Sequence, residues 1–129
     1  DMMKAVVNEG TGRRARVPGV EIAGKTGTTN NNIDAWFCGF SPELEVIVWY
    51  GNDDNTPMRR VEGGGLTSAP VFSQIVRVYK KLYPDTKSTF SVPSGVKSSG
   101  GVLYTDISPL PQKAGHDTVE IQENEGLIF

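Results

Sequence analysis

Residues 19–29, Gly-Val-Glu-Ile-Ala-Gly-Lys-Thr-Gly-Thr-Thr, constrain the fold most, because two incompatible backbones fit them. From the left, Gly19 and Gly24 enclose four residues and Lys25-Thr26 follows, which is the pattern of a phosphate-binding loop. That loop needs a buried strand before it and a helix opening at Lys-Thr, with the helix dipole facing the phosphates. The preceding Arg13-Arg14-Ala15-Arg16-Val17-Pro18 is too charged for a buried strand and ends in proline. The following Gly27-Thr28-Thr29-Asn30-Asn31-Asn32 consists of poor helix formers that favour a turn. A helix cannot start at Lys25. Alternation over residues 20–28 predicts a strand instead, followed by an Asn-rich turn and a second strand.

Spacing elsewhere supplies the remaining elements. Residues 1–8 read as the end of a helix with Met2, Met3, Val6 and Val7 on one stripe, stopped by Gly10 or Gly12. Residues 34–40 and 44–50 read as strands joined by Ser41-Pro42-Glu43, and the short connections make an antiparallel meander. Both are apolar at successive positions, which predicts a sheet covered on both faces. Residues 51–65 form a polar, glycine-rich loop. Its Asn52-Asp53-Asp54-Asn55 lacks the correctly placed glycine and distal glutamate of a calcium loop, so it reads as a solvated turn. Ser68 is expected to cap a helix with Pro70 in its first turn, Phe72, Ile75, Val76, Tyr79 and Leu82 as core stripe, and Pro84 at its end.

The expected fold class is α+β: residues 1–84 form a three-stranded antiparallel meander flanked by helices. Residues 85–129 read as a linker and irregular tail with a short hairpin, its apolar runs at Val102-Leu103-Tyr104 and Val119-Glu120-Ile121. Three strands and one strong helix make a thin core with an unpaired edge, so a piece of a larger domain is expected. The chain opens at Asp1 in mid-pattern, as a cut end would.

Composition narrows the function. A formal charge of −2 over 129 residues offers no electrostatic case for nucleic acid. Arg13, Arg14 and Arg16 are the one tight cationic cluster and read as a solvated helix C-terminus. Cys38 is the single cysteine, which excludes an internal disulfide, and its aromatic strand predicts a small buried hydrophobe. His116, the single histidine, has no Cys or second His beside it, so no metal site is expected. No apolar run reaches membrane-spanning length.

A strand with an open edge can dock an extended peptide, and a lysine beside two hydroxyls suits a carboxylate. Taken alone, the same residues equally suit an ordinary surface strand with a solvated lysine.

The wider context carries a resemblance. Asn8-Glu9-Gly10-Thr11-Gly12, then Ala23-Gly24-Lys25-Thr26-Gly27-Thr28-Thr29, then Asp34-Ala35-Trp36-Phe37-Cys38-Gly39-Phe40-Ser41-Pro42 resembles the C-terminal part of a penicillin-binding protein transpeptidase domain. Gly63-Gly64-Gly65 leading to Ala69-Pro70-Val71-Phe72, and Phe90-Ser91-Val92-Pro93-Ser94-Gly95-Val96, are similar to the bifunctional class A branch. The likeness spans residues 1–97.

The resemblance implies a Lys-Thr-Gly strand walling a catalytic cleft, with Lys25, Thr26, Gly27, Thr28 and Thr29 as its substrate-binding set. Lys25 would bring charge to the carboxylate of substrate or antibiotic and hydrogen-bond the serine of a second motif. Thr26 and Thr28 would offer hydroxyls to that carboxylate, and Gly27 would let the acyl donor lie close. The Thr28 N–H would be one of two oxyanion-hole donors, such a donor being worth about 3–4 kcal/mol in the transition state. Implied partners are a peptidoglycan stem peptide ending in D-Ala-D-Ala, β-lactams, and the rest of the domain carrying Ser-x-x-Lys and Ser-x-Asn. No cofactor or metal is implied. The implied location is the periplasm or outer face of the cytoplasmic membrane, with the anchor outside this segment.

Two strings imitate the missing motifs. Ser94-Gly95-Val96-Lys97 follows a proline and contains glycine, so it cannot form the helix that Ser-x-x-Lys requires, and Tyr50-Gly51-Asn52 is a strand running into a turn. The expected activity is therefore that of the intact protein, with the segment alone inactive. A non-catalytic module that keeps only the peptide-docking strand is the alternative outside nucleotide hydrolysis.

Overall fold

The computed structural model describes residues 1–59, 62–99 and 102–105. Helix α1 is Met2–Asn8, strands β1, β2 and β3 are Ala23–Thr28, Asp34–Phe40 and Glu45–Gly51, helix α2 is Ser68–Leu82, and β4 and β5 are Val96–Ser99 and Val102–Thr105. Single 3-10 turns lie at Arg13–Ala15 and Asn30–Asn32. The three long strands form the expected meander in the order β1-β2-β3, both pairs antiparallel, with β4 and β5 a separate hairpin. The run Val119-Glu120-Ile121 and His116 lie outside the described residues.

Side chains alternate across the sheet, and this decides the core. Ala35, Phe37 and Gly39 of β2 point inward with Val46 and Val48 of β3, against α2. Phe37 and Phe72 are wholly buried and meet edge to face with ring centroids 4.9 Å apart. Losing such a ring costs about 3–5 kcal/mol. Gly24 and Gly39, paired across β1 and β2, make room for it. A Cβ on Gly24 would stand 2.7 Å from the Phe37 ring, and one on Gly39 would stand 2.5 Å from it. The glycine before Lys25 is thus required by packing.

Several expectations need correction. Cys38 is exposed, because its neighbours Phe37 and Gly39 take the inward direction and leave it between Lys25 and Ile47 on the outer face. That face is also less covered than the apolar runs predict. Trp36 and Trp49 remain 37% and 44% exposed, and among the described residues only the corner at Phe40 is covered, by Phe90 at 5.5 Å. The stripe on α2 is narrower than its spacing suggests: Phe72 and Val76 are buried while Ile75 and Leu82 are exposed. Likewise Val7 alone of the four α1 residues is buried.

Ser68 does not cap α2. It is the first helical residue, and its buried hydroxyl donates to the Ala35 carbonyl at 3.0 Å, fastening the helix start to β2. The N-cap is Thr67, whose hydroxyl donates to Gly63 O instead of accepting from the helix.

The start of the tail, at Ser88 and Phe90, is tied to the segment that leads into β1. Glu21, just before β1, accepts from Lys4 Nζ at 2.6 Å and from the Phe90 N–H at 2.7 Å. These bonds lower the Glu21 pKa below the ordinary carboxylate value, the Lys4 bond contributing most.

Candidate functional site

Strand β1 occupies an edge of the sheet. Its pairing shows which backbone groups face outward. The Thr29 N–H donates to Asp34 O at 3.0 Å, so these two form a hydrogen-bonded pair. Pairs alternate along an antiparallel ladder, making Gly27 with Trp36 the next bonded pair and leaving Thr26 and Thr28 at non-bonded positions. The N–H and C=O groups of Thr26 and Thr28 therefore point to the open edge. Lys25 Nζ donates to Thr26 O at 2.9 Å, consistent with that carbonyl facing away from β2. Lys25 thus lies in an exposed strand, which removes the phosphate-loop alternative.

The same alternation separates the motif's side chains. Lys25 and Gly27 share the outer face with their partners Cys38 and Trp36, whereas Thr26 and Thr28 share the inner face with Phe37 and Ala35. A Cβ on Gly27 would meet nothing closer than 3.4 Å. Packing within the chain does not demand glycine here, unlike at Gly24, and the strand surface beside Lys25 stays bare.

Thr26 and Thr28 open into a groove of about 620 Å³, walled by Thr11, Arg13 and Arg14 on one side and residues 63–65 on the other. The Thr11 and Thr26 hydroxyls lie 2.6 Å apart, and Thr28 Oγ1 accepts from the Gly64 N–H at 3.4 Å. The glycine run is a steric requirement. A Cβ on Gly64 would fall 2.1 Å from Trp36 O and 2.8 Å from Gly27 O, and one on Gly65 would fall 2.4 Å from Thr11 O. Only bare backbone can come this close to the sheet.

Asn32, in the asparagine turn, closes one end of the groove. Asn31 and Asn32 have φ of 61° and 56°, a left-handed conformation that asparagine tolerates better than most residues. Asn32 Nδ2 donates to Arg59 O at 2.6 Å and to Met58 O at 3.2 Å, and the Met58 N–H returns a bond to Asn32 O at 2.8 Å. Thr29 faces this turn: its hydroxyl donates to Asp34 Oδ2 at 3.1 Å and accepts from the Asp34 N–H at 2.9 Å. Trp49 Nε1 donates to the other Asp34 oxygen at 2.8 Å.

Sequence reasoning missed Thr11, Asp34 and Asn32 as parts of this site. It also read the arginines as the end of a helix, but α1 stops at Asn8 and they sit on a separate turn beside the groove. Local patterns carry no signal for Thr11 beside Thr26, since fifteen residues separate them. A second cavity of about 550 Å³, lined largely by Met2, Met3, Phe40, Phe90 and Val92, is apolar, and its Lys4 and Glu21 are engaged with each other. Among the described residues no group of His, Cys, Asp or Glu could hold a metal, and no helix is long and apolar enough to cross a membrane.

A meander with a bare, open edge strand beside a hydroxyl-lined groove, backed by one helix, is an α+β arrangement. The chain belongs to the penicillin binding protein transpeptidase domain family, whose model matches residues 1–77. It is 42% identical over 85 residues to penicillin-binding protein 1A of Aquifex aeolicus, covering 66% of this chain and 12% of that protein. It is 42% identical over 104 residues to penicillin-binding protein 1A of Neisseria meningitidis serogroup A, covering 80% of this chain and 13% of that protein. The chain thus spans 12–13% of the length of these relatives. Penicillin-binding protein 1A from Haemophilus influenzae shares the fold, with a TM-score of 0.58 and 23% identity over 83% of this chain and 19% of that one.

Proposed function

We propose that this segment forms the Lys-Thr-Gly wall of the active site in a class A peptidoglycan D,D-transpeptidase. Residues 1–84 are the C-terminal portion of the transpeptidase domain and build the wall, and residues 85–129 serve as a linker and tail. The reading rests on family membership and on one geometric feature, the Thr28 N–H at the open edge of β1 beside the Thr26 and Thr28 hydroxyls.

The stem peptide lies along β1 in extended form, pairing with the outward groups of Thr26 and Thr28. A serine contributed by the rest of the domain attacks the carbonyl of the penultimate D-Ala. The Thr28 N–H and the nucleophile's own N–H hold the resulting oxyanion, each donor being worth about 3–4 kcal/mol. The amide C–N bond breaks, terminal D-Ala leaves with a proton, and an acyl-serine ester remains. An amine of a second stem attacks that ester, forming the cross-link and regenerating the serine. Lys25 hydrogen-bonds the serine of the second motif, Thr26 and Thr28 donate to the substrate carboxylate, and Thr29 keeps the turn beside them in place. A β-lactam acylates the same serine. The reaction needs no metal or cofactor, and it runs at the outer face of the cytoplasmic membrane, with the anchor elsewhere in the protein.

Fluorescent-penicillin labelling tests this. The full-length protein becomes covalently labelled and the 129-residue segment does not. A full-length protein that folds but takes no label would overturn the reading in favour of a non-catalytic peptide-binding module.

A further inference from the structure

Lys25 does not line the groove that its threonine neighbours open into. Its side chain leaves the opposite face of β1, and its ammonium turns back onto the Thr26 carbonyl. Two cations do line the groove, Arg13 and Arg14, and no acidic side chain lines it with them. They differ in freedom. Arg13 Nε is engaged with Glu9 O at 2.9 Å, whereas among the described residues no hydrogen bond or ion pair engages the Arg14 guanidinium. Gly12, buried before the arginines, helps to hold this turn: a Cβ there would stand 3.2 Å from the Phe37 ring and 3.3 Å from Val6 O. The arginines therefore project from a turn packed against the core.

From this we infer that Arg14, and not Lys25, supplies the positive charge that holds the ligand's carboxylate. Arg14 lines the same groove as Thr26 and Thr28, and a planar fork of donors matches a carboxylate better than a point charge does. Lys25 is left for the chemistry at the outer side of the edge. The assignment rests on the transpeptidase reading and adds to it a residue that sets the preference for anionic acyl donors.

The probes are benzylpenicillin and its methyl ester, which differ in whether the carboxyl is charged. The acylation efficiency of the full-length protein is measured with each, for wild type, Arg14→Gln, Arg14→Lys and Lys25→Gln. A charge-assisted bond of the usual strength makes the acid-over-ester preference fall about 10- to 100-fold in Arg14→Gln. Arg14→Lys, which keeps the charge but loses the fork, gives a preference between those of wild type and Arg14→Gln, and Lys25→Gln slows both probes while keeping their ratio. A ratio unmoved by Arg14→Gln, or one that falls in Lys25→Gln instead, overturns the inference alone. Failure of benzylpenicillin itself to acylate the wild type overturns the transpeptidase reading and the inference with it, and equal efficiency of acid and ester in the wild type overturns the inference alone.

Discussion

Gly64→Ala tests whether the groove wall is set by backbone contact with the sheet. The added Cβ would fall 2.1 Å from Trp36 O and 2.8 Å from Gly27 O. Real Cβ atoms essentially never approach closer than 3.0 Å, so the loop must retreat by about 1 Å. Both obstacles are backbone carbonyls of paired strands, and no rotamer change can relieve them. The retreat stretches the Gly64 N–H bond to Thr28 Oγ1, already 3.4 Å, and strains the Ala69 N–H bond to Gly64 O at 2.8 Å. Overpacking costs about 1–3 kcal/mol, and each loosened hydrogen bond adds about 1 kcal/mol. A total of roughly 3–5 kcal/mol is expected, together with slower penicillin acylation. Gly63→Ala is the control: its Cβ would meet only Thr28 Oγ1, at 3.3 Å, and a hydroxyl can shift. Denaturant midpoints at constant m give the two stability changes. If Gly64→Ala proves as stable as Gly63→Ala within about 0.5 kcal/mol and acylates normally, the wall is not held by this approach.

Two further outcomes follow from the network around β1. Glu21 has a depressed pKa in the folded state, so its contribution to stability is fully present above the unfolded value of about 4.3 and is lost as pH falls through the folded value. Stability should decline more steeply with acid in wild type than in Glu21→Gln, by a modest amount because both partners are about a third exposed; identical pH profiles would contradict this. Asp34→Asn leaves one oxygen to accept from two donors, Thr29 Oγ1 and Trp49 Nε1. The turn beside Thr28 should loosen, lowering the acylation rate constant about tenfold and shifting Trp49 emission, since a bond to a charged acceptor is worth about 1.5–3 kcal/mol. Unchanged emission and rate would show that Asp34 does not position the strand end.

Much of the fold was legible in local pattern. Charge, proline and asparagine around Lys25 rule out a helix there, and residues 23–28 are indeed a strand, because these preferences act within a few residues. The meander and α2 follow from short turns and helical spacing in the same way. The fate of apolar residues at successive positions was not legible. Phe37 and Cys38 read alike along the chain, yet one is wholly buried and the other exposed. Which face a strand buries depends on where α2 docks, and Phe37 meets its partner in that helix, Phe72, 35 residues downstream.

The functional residues divide along the same line. Chain order by itself determined that Lys25, Thr26, Gly27 and Thr28 share one extended strand, because neighbours in a strand are bound to alternate. Tertiary structure decided what each side of that strand meets. Thr11, Arg14 and Gly64 lie far from it in sequence and reach it only once α1, the arginine turn and the glycine loop have packed. Close backbone approach and a shared groove are properties of distance in space, and a linear pattern encodes them only through the fold it specifies.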